Sequence, residues 1–130
     1  MSPINIFVTG APLASQPALS ALRFCLECER EGTPVAQVFF YSDATHVANS
    51  LMVPMTDELD LAQAWSEFAA RTGTPLLVCI SSSERRGIVG AESVRDHELQ
   101  SDNVARGFQI AGLGVFNAAL LSGGALVSFS

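Results

Sequence analysis

Charge, cysteine and long apolar runs are all scarce in this chain of 130 residues. Each shortage excludes something. Charged residues make up only 15% and hydrophobic residues 48%, the balance of a globular and slightly apolar-rich domain. The formal net charge is −6, so no basic field exists to gather a polyanion. Direct nucleic-acid binding through overall charge is excluded, and any RNA in the biology is held by another protein. No apolar run approaches the roughly 20 residues of a membrane span. The Met-Ser-Pro start has no basic region, and Ile4 to Val8 is too short for the core of a secretion signal. These features read as a cytoplasmic protein away from the membrane. Three cysteines are an odd number. That argues against a disulfide framework and suits a reducing compartment.

Motifs are scarce too. No GxxxxGK[ST] occurs, and "GLG" at 112–114 lacks the spacing of a phosphate cradle, so nucleotide binding has no support. No GxSxG elbow marks a serine nucleophile. His46 and His97 have no second histidine at ligand spacing. A lone pair of cysteines cannot fill a zinc site without other ligands.

The length fits one domain, 1–130, with room for a full core. Its high apolar content hints at surface covered by a partner subunit. "INIFVT" (4–9) is β-branched and ends at Gly10, which reads as a buried first strand. "GAPLAS" (10–15) is a loop. From Pro17 to Glu31 apolar residues recur at Leu19, Leu22 and Cys25 or Leu26, while Glu29 and Arg30 face out. That pattern is an amphipathic helix closed by Gly32. "PVAQVFFY" (34–41) is a second strand, and the loop to Pro54 has room for a short helical turn. Asp60 with Gln63 forms a capping-box pattern. Leu61, Ala64, Trp65 and Phe68 then share a helical face, which Gly73 ends.

"PLLVCI" (75–80) is the third strand, and "SSSERRG" after it is a helix start or a tight loop. The 84–106 region is polar and partly helical. "GFQIAGLG" (107–114) reads as a short strand or extended turn, "LGVFNAALL" (113–121) as a helix, and "ALVSF" (125–129) as a last strand. Strands alternating with helices indicate an α/β fold, a three-layer α/β/α sandwich around a mainly parallel five-stranded sheet.

In such sheets, sites form at the carboxyl ends of strands. Cys79 sits near one. A helix start after it would favour an anion, and Arg85 and Arg86 add positive charge nearby. A nucleophilic thiol and a space-filling buried thiol are both readings of this position. Cys25 and Cys28 form C-L-E-C, but more than two turns into the first helix, where the dipole helps little. Core packing is the reading there, and a dithiol oxidoreductase is its rival. His46, in the loop after the second strand, is a loop histidine or a proton donor at the same edge. "TDELD" (56–60) is a solvated helix entrance or an acidic docking patch.

Four stretches in order resemble a known family: "VFFYSDATHVANSL" (38–51), "DELDLAQAW" (57–65), "CISSSERRGIVG" (79–90) and "NVARGFQIAGLG" (103–114). They are similar to the DsrE-type sulfurtransferases, and within them to the cysteine-bearing subunit of a sulfur-relay complex. The resemblance implies a parallel α/β sandwich. It implies that Cys79 carries a persulfide received from a TusA-like donor and passed to a TusE-like acceptor. It implies TusB- and TusC-like partner subunits in a heterohexamer, and a relay that ends in 2-thiolation of the tRNA wobble uridine. A related relay serves sulfur oxidation, and some subunits of the fold lack the cysteine and only bind or assemble. The matching "FFY…AN" segment makes Tyr41 and Asn49 candidates for the pocket wall. Ser81, Ser82, Arg85 and Arg86 are candidates to stabilise the anion. Transfer to another protein's cysteine leads us to expect Cys79 on an exposed, mobile loop. The chain departs from the family pattern in its "SGGALVSFS" ending, where a charged strand start is expected. It departs again in the serines after Cys79, where small apolar residues are common.

Overall fold

The computed structural model describes residues 2–12 and 16–130. The predicted loop 10–15 therefore lies partly outside the described residues. The elements in chain order are β1 (Ile4–Val8), α1 (Pro17–Glu31), β2 (Val35–Phe40), a 3-10 helix (Ser42–Ala48) and α2 (Leu61–Thr72). β3 (Leu76–Cys79), α3 (Ile80–Arg85), α4 (Ala91–His97), β4 (Phe108–Ala111), α5 (Leu113–Leu121) and β5 (Ala125–Phe129) follow.

All strand pairs are parallel, in the order β4-β3-β2-β1-β5. The order explains the layers. From β1 to β4 the chain steps always toward the same edge, so right-handed crossovers keep its helices on one face. From β4 to β5 it crosses back over the whole sheet, which sends α5 to the opposite face. Alternating side chains serve the two sides. Ile6, Val8, Val38, Phe40, Leu76 and Val78 pack with α1 and α2. Phe7, Phe39, Leu77, Cys79 and Ala111 pack with Phe116 and Leu120 of α5.

The α1/α2 side is the deeper core. Trp65 and Phe68 of α2 are buried, and Trp65 meets Phe40 edge-on at 5.2 Å between ring centroids. Burying each such side chain contributes about 1.5–3 kcal/mol. α1 starts at Pro17 and ends where Gly32, at φ 77°, turns its amide back to the carbonyls of Cys28 and Glu29. Cys25 faces inward and Leu26 outward. Glu29, expected to face out, is half-buried: Arg71 of α2 donates to both its carboxylate oxygens, at 2.9 and 3.1 Å. The capping box on α2 is half formed. Asp60 accepts the Gln63 amide at 3.1 Å, but the Gln63 side chain turns to Glu67 instead of back to Asp60.

The α5 side is pinned by polar groups. Buried Gln37 donates to Asn5 at 2.9 Å and to the Phe116 carbonyl at 3.2 Å. Asn5 in turn donates to the carbonyls of Gly123 and Ala125. The "SGG" turn before β5 follows from this close approach. Gly124 has φ 99°, and a Cβ there would lie 2.4 Å from the Pro3 carbonyl oxygen. α5 itself has apolar residues on every side, yet buries only Phe116 among them. Val115 and Leu121 are exposed, as are Leu51, Val53, Met55 and Leu59 of the loop before α2. Among the described residues no helix is long and apolar enough to cross a membrane.

Candidate functional site

β3 ends at Cys79, and α3 begins at the next residue, so Cys79 is the N-cap of that short helix. Its backbone is still extended, with φ −60° and ψ 123°. The strand alternation places its side chain on the α5 side with Phe39, Leu77 and Phe116. It is 3% exposed. The expectation of an exposed loop is therefore wrong. The apolar strand runs into helix without an intervening loop, and its last side chain packs under α5.

Two opposed effects act on the thiol. Burial pushes its pKa up, while the Ser81 and Ser82 hydroxyls and then the amides of Ser82 and Ser81 pull it down. The donors win, and the pKa lies below its ordinary value. The Ser81 hydroxyl is 3.4 Å from Sγ. The arginines do not contribute as expected. The Arg86 fork turns away to Asp43 Oδ1 at 2.8 Å, the Ser82 carbonyl at 2.9 Å and the Ser42 hydroxyl at 3.4 Å. Its charge is met by Asp43. Arg85 is exposed on α3. Neither is among the causes of the Cys79 shift.

Tyr41 caps the 3-10 helix and lies on the Cys79 side of the sheet, its ring 5.6 Å from that of Phe7 and 6.5 Å from that of Phe39. Asn49 is committed elsewhere. Its Oδ1 accepts the Leu51 amide at 2.9 Å and the Asn103 side chain at 3.1 Å. Asn103, unmarked in the sequence reading, ties three segments together. It also donates to the Gly87 carbonyl and accepts the Val89 amide. Ser42 and Asp43 were missed as well, and only the fold brings them to α3. His46 lies within the 3-10 helix, and His97 stands 3.4 Å from Glu84. A groove of about 720 Å³ runs beside Cys79, lined by its neighbours Leu77 and Ile80 together with Ala111 and Val115.

Cys25 and Cys28 are both buried and free. Burial, with the neighbouring Cys28 adding to it, pushes the Cys25 pKa up to about 12. Cys28 is also raised, first by burial and then by Glu31 and Glu27. Neither thiol is an anion near neutral pH. Among the described residues no group of three or more His, Cys, Asp and Glu side chains is placed to hold a metal ion.

The DsrE/DsrF-like family model matches residues 3–129. Sulfurtransferase TusD of Proteus mirabilis is 37% identical over 124 residues, covering 95% of each chain. The TusD homolog of Aliivibrio fischeri is 36% identical over 125 residues, 96% of each. Sulfurtransferase TusD of Salmonella dublin is 38% identical over 124 residues, 95% of this chain and 97% of its own. Among solved structures, the ychN protein from E. coli superposes with a TM-score of 0.78 at 22% identity, covering 99% of this chain and 100% of its own. That likeness concerns the fold. The chain belongs to the DsrE/DsrF-like family and, by these relatives, is a sulfurtransferase.

Proposed function

We propose that this protein is the persulfide-carrying subunit of a sulfur relay, with Cys79 as its carrier. The observation that supports this most is the state of the Cys79 thiol. It is buried, yet serine donors at the end of β3 hold its pKa down. A thiolate is the nucleophile in sulfur exchange. The Cys79 thiolate attacks the outer sulfur of a donor persulfide, R–S–SH. The donor sulfur–sulfur bond breaks, R–S⁻ leaves, and Cys79–S–SH forms. An acceptor thiolate then attacks that terminal sulfur and expels the Cys79 thiolate. Electron pairs balance in both steps, and neither metal nor cofactor enters. Ser81 and Ser82 stabilise the anion before and after transfer.

The donor is TusA-like and the acceptor TusE-like, and TusB- and TusC-like subunits cover the apolar surface of α5. The relay serves 2-thiolation of the tRNA wobble uridine without this chain touching RNA, in keeping with its charge of −6. A relay for sulfur oxidation uses the same chemistry. Three free thiols suit the reducing cytoplasm. At 3% exposure Cys79 is not open to another protein's cysteine. Transfer therefore requires the first turn of α3, where Ile80 and Ser81 are exposed, to yield toward the adjoining groove.

That same burial favours a rival reading, an assembly subunit in which Cys79 only packs. Intact mass and peptide mapping after incubation with a persulfide donor protein decide between them. The carrier reading expects a gain of ~32 Da on Cys79, removed by cyanide or reductant. No gain in the assembled complex with a competent donor overturns it.

A further inference from the structure

β4 is an edge of the sheet, paired with β3 on one side only. The ladder shows which of its backbone groups are left over. The Val38 amide bonds the Pro75 carbonyl, so Pro75 and Leu77 turn their groups to β2, while Leu76 and Val78 turn theirs to β4. Gln109 lies opposite Leu77 and takes those bonds, and Ala111 follows it in the same sense. Phe108 and Ile110 therefore point away from the sheet. The Phe108 amide donates to the Ala105 carbonyl at 3.3 Å. The Ile110 amide and carbonyl meet no protein group among the described residues, and Ile110 is only half-buried. The strand carries no lysine, no proline and no bulge, devices that keep an edge from pairing.

The groove of about 720 Å³ beside Cys79 follows this edge. It is lined from both faces of the strand, by Phe108 and Ile110 on one and by Gln109 and Ala111 on the other. Its charged lining residues are Glu92 and Asp102, both exposed. Neither makes an ion pair among the described residues, and no lysine, arginine or histidine lines the groove. Open backbone groups select an extended chain, and the acidic rim selects a basic one.

We infer that the free edge of β4 is a docking strand, where an extended basic segment of the sulfur acceptor protein adds to the sheet through the Ile110 amide and carbonyl. The inference rests on the reading of Cys79 as the sulfur carrier. Ala111 lies opposite Cys79 in the ladder, so an added strand runs two strand spacings from the carrier, roughly 10 Å. A paired residue is too distant to exchange sulfur. The acceptor's cysteine therefore lies about two or three residues beyond the paired segment, and it reaches Cys79 past Ile80, which also lines the groove.

The test is hydrogen exchange at single amides of the full chain in its native assembly, with and without an excess of the TusE-like acceptor protein. The Ile110 amide is expected to exchange about fivefold more slowly with the acceptor bound, the worth of one hydrogen bond. Gln109 and Ala111, bonded to β3 in both states, should change less. Glu92→Lys with Asp102→Lys reverses the charge of the groove at two exposed positions. The double variant is expected to weaken acceptor binding about fivefold at low salt, and the difference should shrink in 1 M salt. An Ile110 amide already protected without acceptor, or unaffected by a bound one, overturns the docking strand. So does protection that appears on β5, the other edge, in its place. Undiminished binding by the charge variant overturns it too, as does protection of Ile110 by the TusA-like donor and not by the acceptor. Sulfur loading of Cys79 is read separately. A protected Ile110 in a chain that takes no sulfur defeats the carrier reading alone. A loaded Cys79 with an unchanged Ile110 amide defeats the docking strand alone.

Discussion

The middle of α1 and the end of β3 each bury a cysteine, Cys25 at 0% and Cys79 at 3% exposure. In the first, burial pushes the thiol up to about 12. In the second, the same push is overcome and the pKa falls below its ordinary value. The difference is the supply of donors. Inside α1 the backbone amides are spent on the helix, and the neighbours of Cys25 are apolar. At the end of β3 the chain is starting a helix, so the amides of Ser81 and Ser82 are free, and two hydroxyls join them. Burial alone therefore does not decide what a thiol does. Its position along an element does.

The sharpest way to break the contrast is to remove each thiol in turn. Cys79→Ser is expected to abolish sulfur loading, measured as the ~32 Da gain. Cys25→Ala is expected to leave loading intact and to cost stability of about 1 kcal/mol for the small void. Loading that survives Cys79→Ser ends the carrier reading.

The next effect concerns stability at high pH. The folded pKa of Cys25 is raised from 9.0 to about 12. Its contribution is therefore fully present below pH 9 and is lost as pH rises toward 12. Each pH unit in that window removes about 1.4 kcal/mol of stability. The chain has seven arginines and no lysine, so few other groups titrate there. The urea midpoint is expected to fall steeply above pH 9 in the wild type and far less in Cys25→Ala. Equal slopes would mean that Cys25 is not held neutral by its site.

A smaller change moves Cys79 toward Cys25. Ser81→Ala and Ser82→Ala each remove a hydroxyl donor and raise the Cys79 pKa. Alkylation at pH 7 is expected to slow about fivefold for each, one hydrogen bond's worth. A Cys79 indifferent to both would place the stabilisation in the amides alone.

Much of this contrast was legible in the sequence, because it depends on local order. Pro17 and Gly32 mark the ends of α1, and Asp60 and Gly73 those of α2. These are backbone requirements that a few adjacent residues express. The step from "LLVC" to "ISSSER" put Cys79 at a strand end by the same local logic. What could not be read lies across the sheet. Nothing near Arg86 says that its partner is Asp43, 43 residues earlier. Proximity to Cys79 suggested the wrong role for its charge. Nothing in "FFYSDA" shows that Ser42 adopts a left-handed conformation, at φ 56°, with its amide on the Ser82 hydroxyl oxygen of α3. The burial of Cys79 likewise needed α5, which returns over the sheet 34 residues later in the chain, counting from Cys79 to Leu113.

Cys28 stands between the two extremes and allows the smallest test. It lies one turn beyond Cys25, at 6% exposure, near the surface end of α1. Its pKa is raised first by burial and then by the Glu31 and Glu27 charges. Those two contributions separate experimentally. Burial is indifferent to salt, while exposed carboxylates are screened by it. Glu31→Gln is therefore expected to speed Cys28 alkylation at pH 9 about twofold at low ionic strength. In 1 M salt the variant and the wild type should converge, leaving the slow rate that burial sets. A variant that stays faster in 1 M salt would show that Glu31 restrains Cys28 by packing instead. Cys79 offers the control, since hydrogen-bond donors rather than neighbouring charges set its thiol, and the same salt step should leave its alkylation unchanged.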